Sequence, residues 1–567
     1  MVQTPHPTRR SLTPSNLLSL GVIAALIVLI GFPIALVIFA AVTDVLPRPG
    51  NLSLENLSTD SLSSLFSAAT ASAATNSFIA ATTSALLSLF LGVGLALLAA
   101  RTNVRFRRFV FLAGLAPMFM PAFVAALAWS VLAGPTGLAN ALLRDLGAEP
   151  FVNIYSFPGF IFILGVYNSP YVFLMVYSAL RLMNTDLEDA AVIHGAPIQT
   201  AIRKVTLSLM TPAILGSTLL AFTISIENFP VAQFIARPGG VDTLPTLIYR
   251  YMSMSPSRGN DAAAIAIVLV LAVALVVLLQ RWYLARKDFA TVSGKGSKSK
   301  LVSLGKWRTP ALLAAMLYFL VSVVLPVLSL IVIATYSSPY IQTISGMAEA
   351  GSFSMDRFTG VFEDRQIRSA IGNSITVSLL VAVIGTAFCF LCSYLTYRTK
   401  APARRWIEYL AMTPLAVPAI VLGMGLLWTW LILPLPVYGT IALLVIAFIA
   451  SLLPQGFRGS SASILQFNSD LEDAAVMHGA GRTKAVVTIT APLLRTSLLA
   501  TFVLLLMLSM RELTVPLFLY TTDTRLLSIV IFDAYENGQF ALAAAIGVIY
   551  TLIIGALAVV SQLLDRK

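Results

Sequence analysis

The side chains best equipped for chemistry in this sequence fall into four small groups. Cys389 and Cys392 form a C-x-x-C, the spacing of redox dithiols and of metal ligand pairs. Both lie inside an apolar run, and the residues matching them in an internal repeat are Gly92 and Leu95, so small apolar packing is expected instead. His194 and His478 could be paired on a metal, but each falls in the last turn of a short helix, where partial positive charge is tolerated, and no metal site is expected. Gly294-Lys295-Gly296-Ser297-Lys298-Ser299 has the composition of a phosphate loop without its G-x-x-x-x-G-K-[ST] spacing or a preceding strand. A flexible basic linker is the expectation there. The chain is not expected to be an enzyme or to hold a cofactor, and any energy from ATP must come through a partner. Finally, Glu227, Arg511 and Glu512 end two apolar runs. Ionisable groups near membrane depth are costly and often functional, so these three either line a path or mark the interface.

The elements that must position these groups are apolar helices. Of 567 residues, 58% are hydrophobic and 11% charged, against about a quarter charged in soluble proteins. The apolar excess comes in twelve runs of the length that crosses about 30 Å of hydrocarbon. They cover 17–41, 77–100, 109–133, 157–180, 207–226 and 262–279, then 310–336, 375–395, 409–433, 438–453, 496–510 and 541–564, with 438–453 short enough to question. The first is too long for a signal-peptide core. Two cysteines exclude a disulfide framework. The net charge of +12 is concentrated in alternate short loops: Arg101, Arg105, Arg107 and Arg108 have no acid among them, and Arg398, Lys400, Arg404 and Arg405 repeat the pattern. The loop after the first run instead holds Asp44, Glu55 and Asp60 against Arg48. The positive-inside rule places both termini in the cytoplasm, and the basic excess then reflects topology, not nucleic acid.

The chain is written twice. Asn76-Ser77, Arg101-Thr102, Pro117 and Pro121 recur 297 residues later as Asn373-Ser374, Arg398-Thr399, Pro414 and Pro418. A polar stretch, NTDLEDAAVIHGAP at 184–197, recurs 284 residues later as NSDLEDAAVMHGAG. The fall in offset places 13 extra residues in the first copy, within 134–159. The expected organisation is a cytoplasmic tail at 1–16, a first six-span module at 17–284 (core 72–283), a basic linker at 285–309, and a second module at 310–567 (core 369–563). Both modules read in the same direction, so they are parallel repeats about an axis along the membrane normal. The paired prolines are expected to break or kink the third and ninth spans, which either widens a cavity or shapes packing.

Each polar stretch is built as a short capped helix of about nine residues. Thr185 and Ser469 stand three residues before Glu188 and Glu472, the pattern of a capping box. Gly195 and Gly479 supply the stop, because glycine takes the left-handed conformation at low cost. Alanine, valine and glycine leave little bulk, so another protein could approach closely; the alternative is a helix lying on the membrane or its own bundle.

EDAAVIHGAPIQTAIRKVTLSLMTPAI and EDAAVMHGAGRTKAVVTITAPLLRTSL resemble the EAA loop of binding-protein-dependent ABC importer permeases. Asp189 and Asp473 stand where that loop has its first alanine, and the two late prolines are shared out, with Pro212 in one copy and Pro492 in the other. The resemblance implies an all-α polytopic membrane protein, two fused type I permease modules of about twelve spans, in a bacterial inner membrane. It implies that Glu188, Asp189, Ala190, Ala191, Gly195 and Ala196, with Glu472, Asp473, Ala474, Ala475, Gly479 and Ala480, couple the chain to two cytoplasmic ATPase subunits. It further implies an extracytoplasmic solute-binding protein and a lipid environment. Fusion of two modules at this length most resembles ferric-iron importers; thiamine and aminoethylphosphonate importers share it, and a gradient-driven secondary transporter is the remaining alternative.

Overall fold

The computed structural model describes residues 14–183, 190–191, 193–197, 200, 202–285, 301–338, 341–349, 353–399, 401, 403–466, 468 and 470–565. Residues 1–13 of the N-terminal tail, most of the linker, the Thr185–Glu188 capping box, Asp189 and Ser469 lie outside the described residues. Within them there are isolated β-bridges but no strand, and ten helices are long and apolar enough to cross a membrane, twelve if two bent pairs count as one span each. The chain is an all-α polytopic membrane protein.

In chain order the first half holds α1 (Asn16–Ala41), α2 (Ala68–Arg101), α3 (Arg107–Leu115), α4 (Ala122–Ala133), α5 (Leu138–Asp145), α6 (Phe157–Leu182), α7 (Leu207–Ile226), α8 (Leu244–Ser253) and α9 (Gly259–Ala285). The second holds α10 (Gly305–Thr335), α11 (Ile344–Glu349), α12 (Arg365–Arg398), α13 (Arg404–Met412), α14 (Ala419–Ile432), α15 (Ile441–Gln466), α16 (Asp470–Met477), α17 (Arg482–Leu493), α18 (Arg495–Met510), α19 (Leu527–Glu536) and α20 (Phe540–Asp565). The repeat is carried to the residue. α2 and α12 are both 34 residues long and start 297 apart, and α6 and α15 are both 26 long and start 284 apart. Even a π-helical turn recurs, at Ile202–Thr206 and Val486–Thr490.

Several sequence expectations shift in length or continuity. α2 and α12 overrun the runs at 77–100 and 375–395, because the first begins in alanine-rich sequence and the second in Arg-Gln-Ile-Arg, both good helix formers; Ser67 Oγ caps the first and the Asp364 carboxylate caps the second. The questioned run at 438–453 is one end of the 26-residue α15. The runs at 109–133 and 409–433 are not continuous helices. A 3-10 turn at Ala116–Phe119 and another at Thr413–Leu415 hold Pro117 and Pro414, and the chain resumes helix just after Pro121 and Pro418. Proline lacks the N–H that a continuing helix needs, and its ring crowds the preceding turn. The second of these breaks bends the chain by 115°. The run at 496–510 is likewise part of a bent pair, α17 and α18, at 77°, with Leu494 between them two residues beyond Pro492.

The two repeated Asn-Ser pairs have a shared task. Asn76 donates to the Asp242 carbonyl at 3.0 Å, while Ser77 Oγ accepts from Leu244 N–H at 2.8 Å, fastening the start of α8 to α2. Asn373 donates to the Asp523 and Arg525 carbonyls, and Ser374 accepts from Leu527 N–H at 2.7 Å, fastening α19 to α12. The first helix of each half packs on the other half. In α10, Tyr318 shares a 2.8 Å hydrogen bond with Ser169, the Ser322 carbonyl accepts from Tyr167, and Ser329 donates to the Ala128 carbonyl. α1 lies so close to α14 that a methyl on Gly425 would sit 2.6 Å from the Pro33 carbonyl oxygen. Lipid gives no hydrophobic drive between spans, so close approach over small residues and interhelical hydrogen bonds hold them together.

Candidate functional site

The two polar stretches end in the same backbone device. In the second copy Gly479 has φ +87°, its N–H bonds the Val476 carbonyl at 3.0 Å, and Ala480 N–H bonds the Ala475 carbonyl at 3.1 Å. That pair of bonds is a Schellman cap, which needs the left-handed residue that glycine supplies. In the first copy Gly195 has φ +88° and Ala196 N–H bonds the Ala191 carbonyl at 3.0 Å. A side chain on either glycine would meet nothing within 4 Å. His194 and His478 are exposed at these helix ends, and His478 Nδ1 lies 2.8 Å from the Ala474 carbonyl oxygen. No group of three metal-ligating side chains occurs among the described residues.

Of the residues named from the sequence, Ala190, Gly195, Asp473 and Gly479 are exposed, and Ala191, Ala196, Ala474, Ala475 and Ala480 are half-buried. Glu472 is 1% exposed and faces inward. The most outward side chains were not singled out from the sequence: Ile193 and Met477, equivalent in the repeat, are each 82% exposed. Their signal was available, since a large apolar residue two positions before the capping glycine has no place in a solvated loop.

Glu472 is held by three donors. Tyr394, near the end of α12, donates its hydroxyl to Oε1; Thr490 Oγ1 donates to Oε2 at 3.0 Å; Arg482 Nε lies 3.4 Å from Oε1. Arg482 also reaches the Tyr394 hydroxyl and the Arg398 carbonyl, each at 3.3 Å. A carboxylate out of water is tolerable only when paired and hydrogen-bonded, which this one is.

The second candidate site is at the far end of α7 and α18. Glu227 directly follows α7, and Arg511 and Glu512 directly follow α18, its counterpart in the repeat. The three ionisable residues picked from the sequence thus stand at equivalent helix ends in the two halves. Glu512 has a structural duty as well: its Oε1 accepts from Thr514 and Val515 N–H at 2.9 and 3.2 Å. Asn228, its counterpart 284 residues earlier, caps Val231 N–H at 2.9 Å in the same way. Next to these helix ends the seam between the halves is filled by aromatic rings. Phe234 stacks on Tyr535 with centroids 4.1 Å apart, Phe229 and Tyr249 pack on Phe532, and Tyr535 donates to the Phe234 carbonyl at 2.6 Å.

Cys389 and Cys392 are buried thiols within α12. A methyl on Gly456 of α15 would lie 2.5 Å from Cys389 Sγ, so the thiol fills the space that the glycine leaves.

The sequence model of the family described as binding-protein-dependent transport system inner membrane component matches the chain twice, at residues 92–288 and 385–567. The chain is 23% identical over 447 residues to the ferric transport system permease protein FbpB of Actinobacillus pleuropneumoniae; the match covers 78% of this chain and 63% of that relative, so less than two thirds of its length. It is 24% identical over 445 residues to the Fe(3+)-transport system permease protein FbpB 2 of Haemophilus influenzae, covering 77% and 79% of the two. A Salmonella typhimurium protein named for 2-aminoethylphosphonate transport, PhnV, is 25% identical over 254 residues, 44% of this chain and 91% of its own.

Proposed function

The chain belongs to the family of binding-protein-dependent transport system inner membrane components, and on that premise we propose that it forms the path of an ATP-driven importer of ferric iron. Both modules are fused in one chain, as the family match at 92–288 and 385–567 describes. Support for iron comes from relatives named for ferric transport over three quarters of this chain; 2-aminoethylphosphonate is the alternative substrate, supported by the shorter match, and thiamine stands behind it.

The observation that carries the coupling half of the proposal is the left-handed glycine that closes both polar stretches, at φ +88° and +87°, with Ile193 and Met477 standing out just before it. Two equivalent apolar knobs on a two-fold scaffold suit two equivalent clefts of a dimeric ATPase in the cytoplasm. Ala190, Ala191, Gly195 and Ala196, with Asp473, Ala474, Ala475, Gly479 and Ala480, form the low-relief surface around the knobs; Glu188 and Asp189 are assigned to coupling by the sequence motif alone. Glu472, facing inward, serves coupling by holding its helix rather than by touching the partner. Both termini then lie in the cytoplasm. A solute-binding protein delivers iron at the opposite face, and Glu227, Arg511 and Glu512 line the seam it crosses. Carboxylate oxygens are suitable transient ligands for a hard trivalent cation. Aromatic rings from both halves pack against one another beside them.

Uptake of radiolabelled ferric iron into proteoliposomes holding this chain, its ATPase and its binding protein tests the reading. Import that requires enclosed ATP and the binding protein is expected. Import driven by a proton or sodium gradient without ATP would overturn it, and uptake of 2-aminoethylphosphonate but not iron would overturn the substrate alone.

A further inference from the structure

We infer that Tyr394 and Arg482 are positioning residues that fasten the second cytoplasmic helix to the long span α12 through Glu472, and that the first module lacks this pair of donors. Glu472 is 1% exposed although Asp470 and Asp473 on the same helix face solvent. Its three donors come from two elements: Tyr394 near the end of α12, and Arg482 at the start and Thr490 in the π-helical turn of α17. A shift of α16 therefore pulls on α12 and on α17, the first member of the bent α17–α18 pair, together. The Arg482 bond to the Arg398 carbonyl ties the same point to the last turn of α12.

In the first module the positions equivalent to Tyr394, Arg482 and Thr490 are Leu97, Ile198 and Thr206. Only the threonine can donate. The two halves thus keep the positive-φ glycine and the exposed knob but carry different side chains at two of the three donor positions. In the second half the helix is tied to α12 and α17 through Glu472; in the first, leucine and isoleucine stand where the tyrosine and arginine would be.

The test has two arms, the second of which rests on the function proposed above. In the first, amide hydrogen exchange is measured on the purified full chain. Tyr394→Phe and Arg482→Leu each accelerate exchange across 474–480 by about ten-fold, as loss of a bond to a buried charge predicts, while 202–226 is unchanged and Arg482→Lys restores part of the protection. Unaltered exchange in both variants overturns the inference. In the second arm, iron imported per ATP hydrolysed is measured in the assembled transporter. Tyr394→Phe lowers that ratio several-fold; a ratio equal to that of the unaltered protein overturns the positioning role. Import by the unaltered protein without ATP would instead overturn the proposed function, leaving the exchange result to decide the fastening.

Discussion

In the first half of the molecule glycine sits on the long helix at position 92 and Val172 faces it; in the second half Cys389 sits on the long helix and Gly456 faces it. These are equivalent pairs with the bulk reversed. One layer away the reversal runs the other way: Ser88 lies against Gly165, while Gly385 lies against Ile449. What the repeat has kept is the close approach of two helices, which requires one small partner at each level and is indifferent to which helix supplies it. The fastening of the cytoplasmic helix shows the opposite behaviour. There the Tyr394 and Arg482 donors of one half are met by Leu97 and Ile198 in the other, with no exchange of donors between those positions. The membrane crossing was held constant through compensation, whereas the coupling ends have diverged.

The largest test of this comparison is Gly92→Cys, which installs the second half's residue in the first. A Cβ there would lie 2.8 Å from the Phe173 backbone nitrogen and the Ser169 carbonyl oxygen, neither of which can move aside. Overpacking should cost about 3 kcal/mol in thermal unfolding of the detergent-solubilised chain, and Val172→Gly should rescue only part of it, since the backbone contacts remain. Full rescue would mean that side-chain volume alone governs the crossing. Next in size, Gly456→Ala runs its methyl into Cys389 Sγ at 2.5 Å and should cost about 1–2 kcal/mol. Here Cys389→Gly should restore the melting temperature nearly completely, because only a side chain is in the way. Ile193→Asp and Met477→Asp sharpen the comparison at the cytoplasmic end: each should weaken retention of the ATPase in co-purification by about ten-fold, the scale of a hot-spot residue. Loss in only one of them would make docking one-sided. The smallest effect belongs to Gly195→Leu and Gly479→Leu. Space is open at both, so the direct cost is the left-handed backbone, about 1 kcal/mol in local stability by hydrogen exchange. The further expectation is that added bulk impedes the ATPase; unchanged co-purification and uptake would contradict it.

Much of this was legible in the sequence. Helix ends at the second polar stretch followed from glycine, and the break positions followed from Pro117, Pro121, Pro414 and Pro418, because both residues act through their own backbone. The Asn-Ser pairs were visible as repeats but not as fasteners, since their partners are backbone groups at a distance of 150 residues or more. The inward turn of Glu472 was also hidden. Its sequence neighbours are those of a solvated first turn, and only the tertiary position of Tyr394 makes a dry, paired environment for it. Reciprocal pairs such as Gly92–Val172 and Cys389–Gly456 need two offsets to be combined, 297 on one helix and 284 on the other, before they are seen as equivalent. The crossing of α1 and α10 onto the opposite halves leaves no trace in span lengths or charges.

The central claim, that two matched knobs on one side of the membrane receive the motion of a separate ATPase, is tested most directly by cysteine labelling. The native thiols Cys389 and Cys392 are buried, so Ile193→Cys and Met477→Cys can be probed singly with a membrane-impermeant maleimide. Both should react in inside-out vesicles and not in right-side-out ones, and bound ATPase should protect both. Reaction of the two from opposite faces, or reaction undiminished by the ATPase, would contradict it.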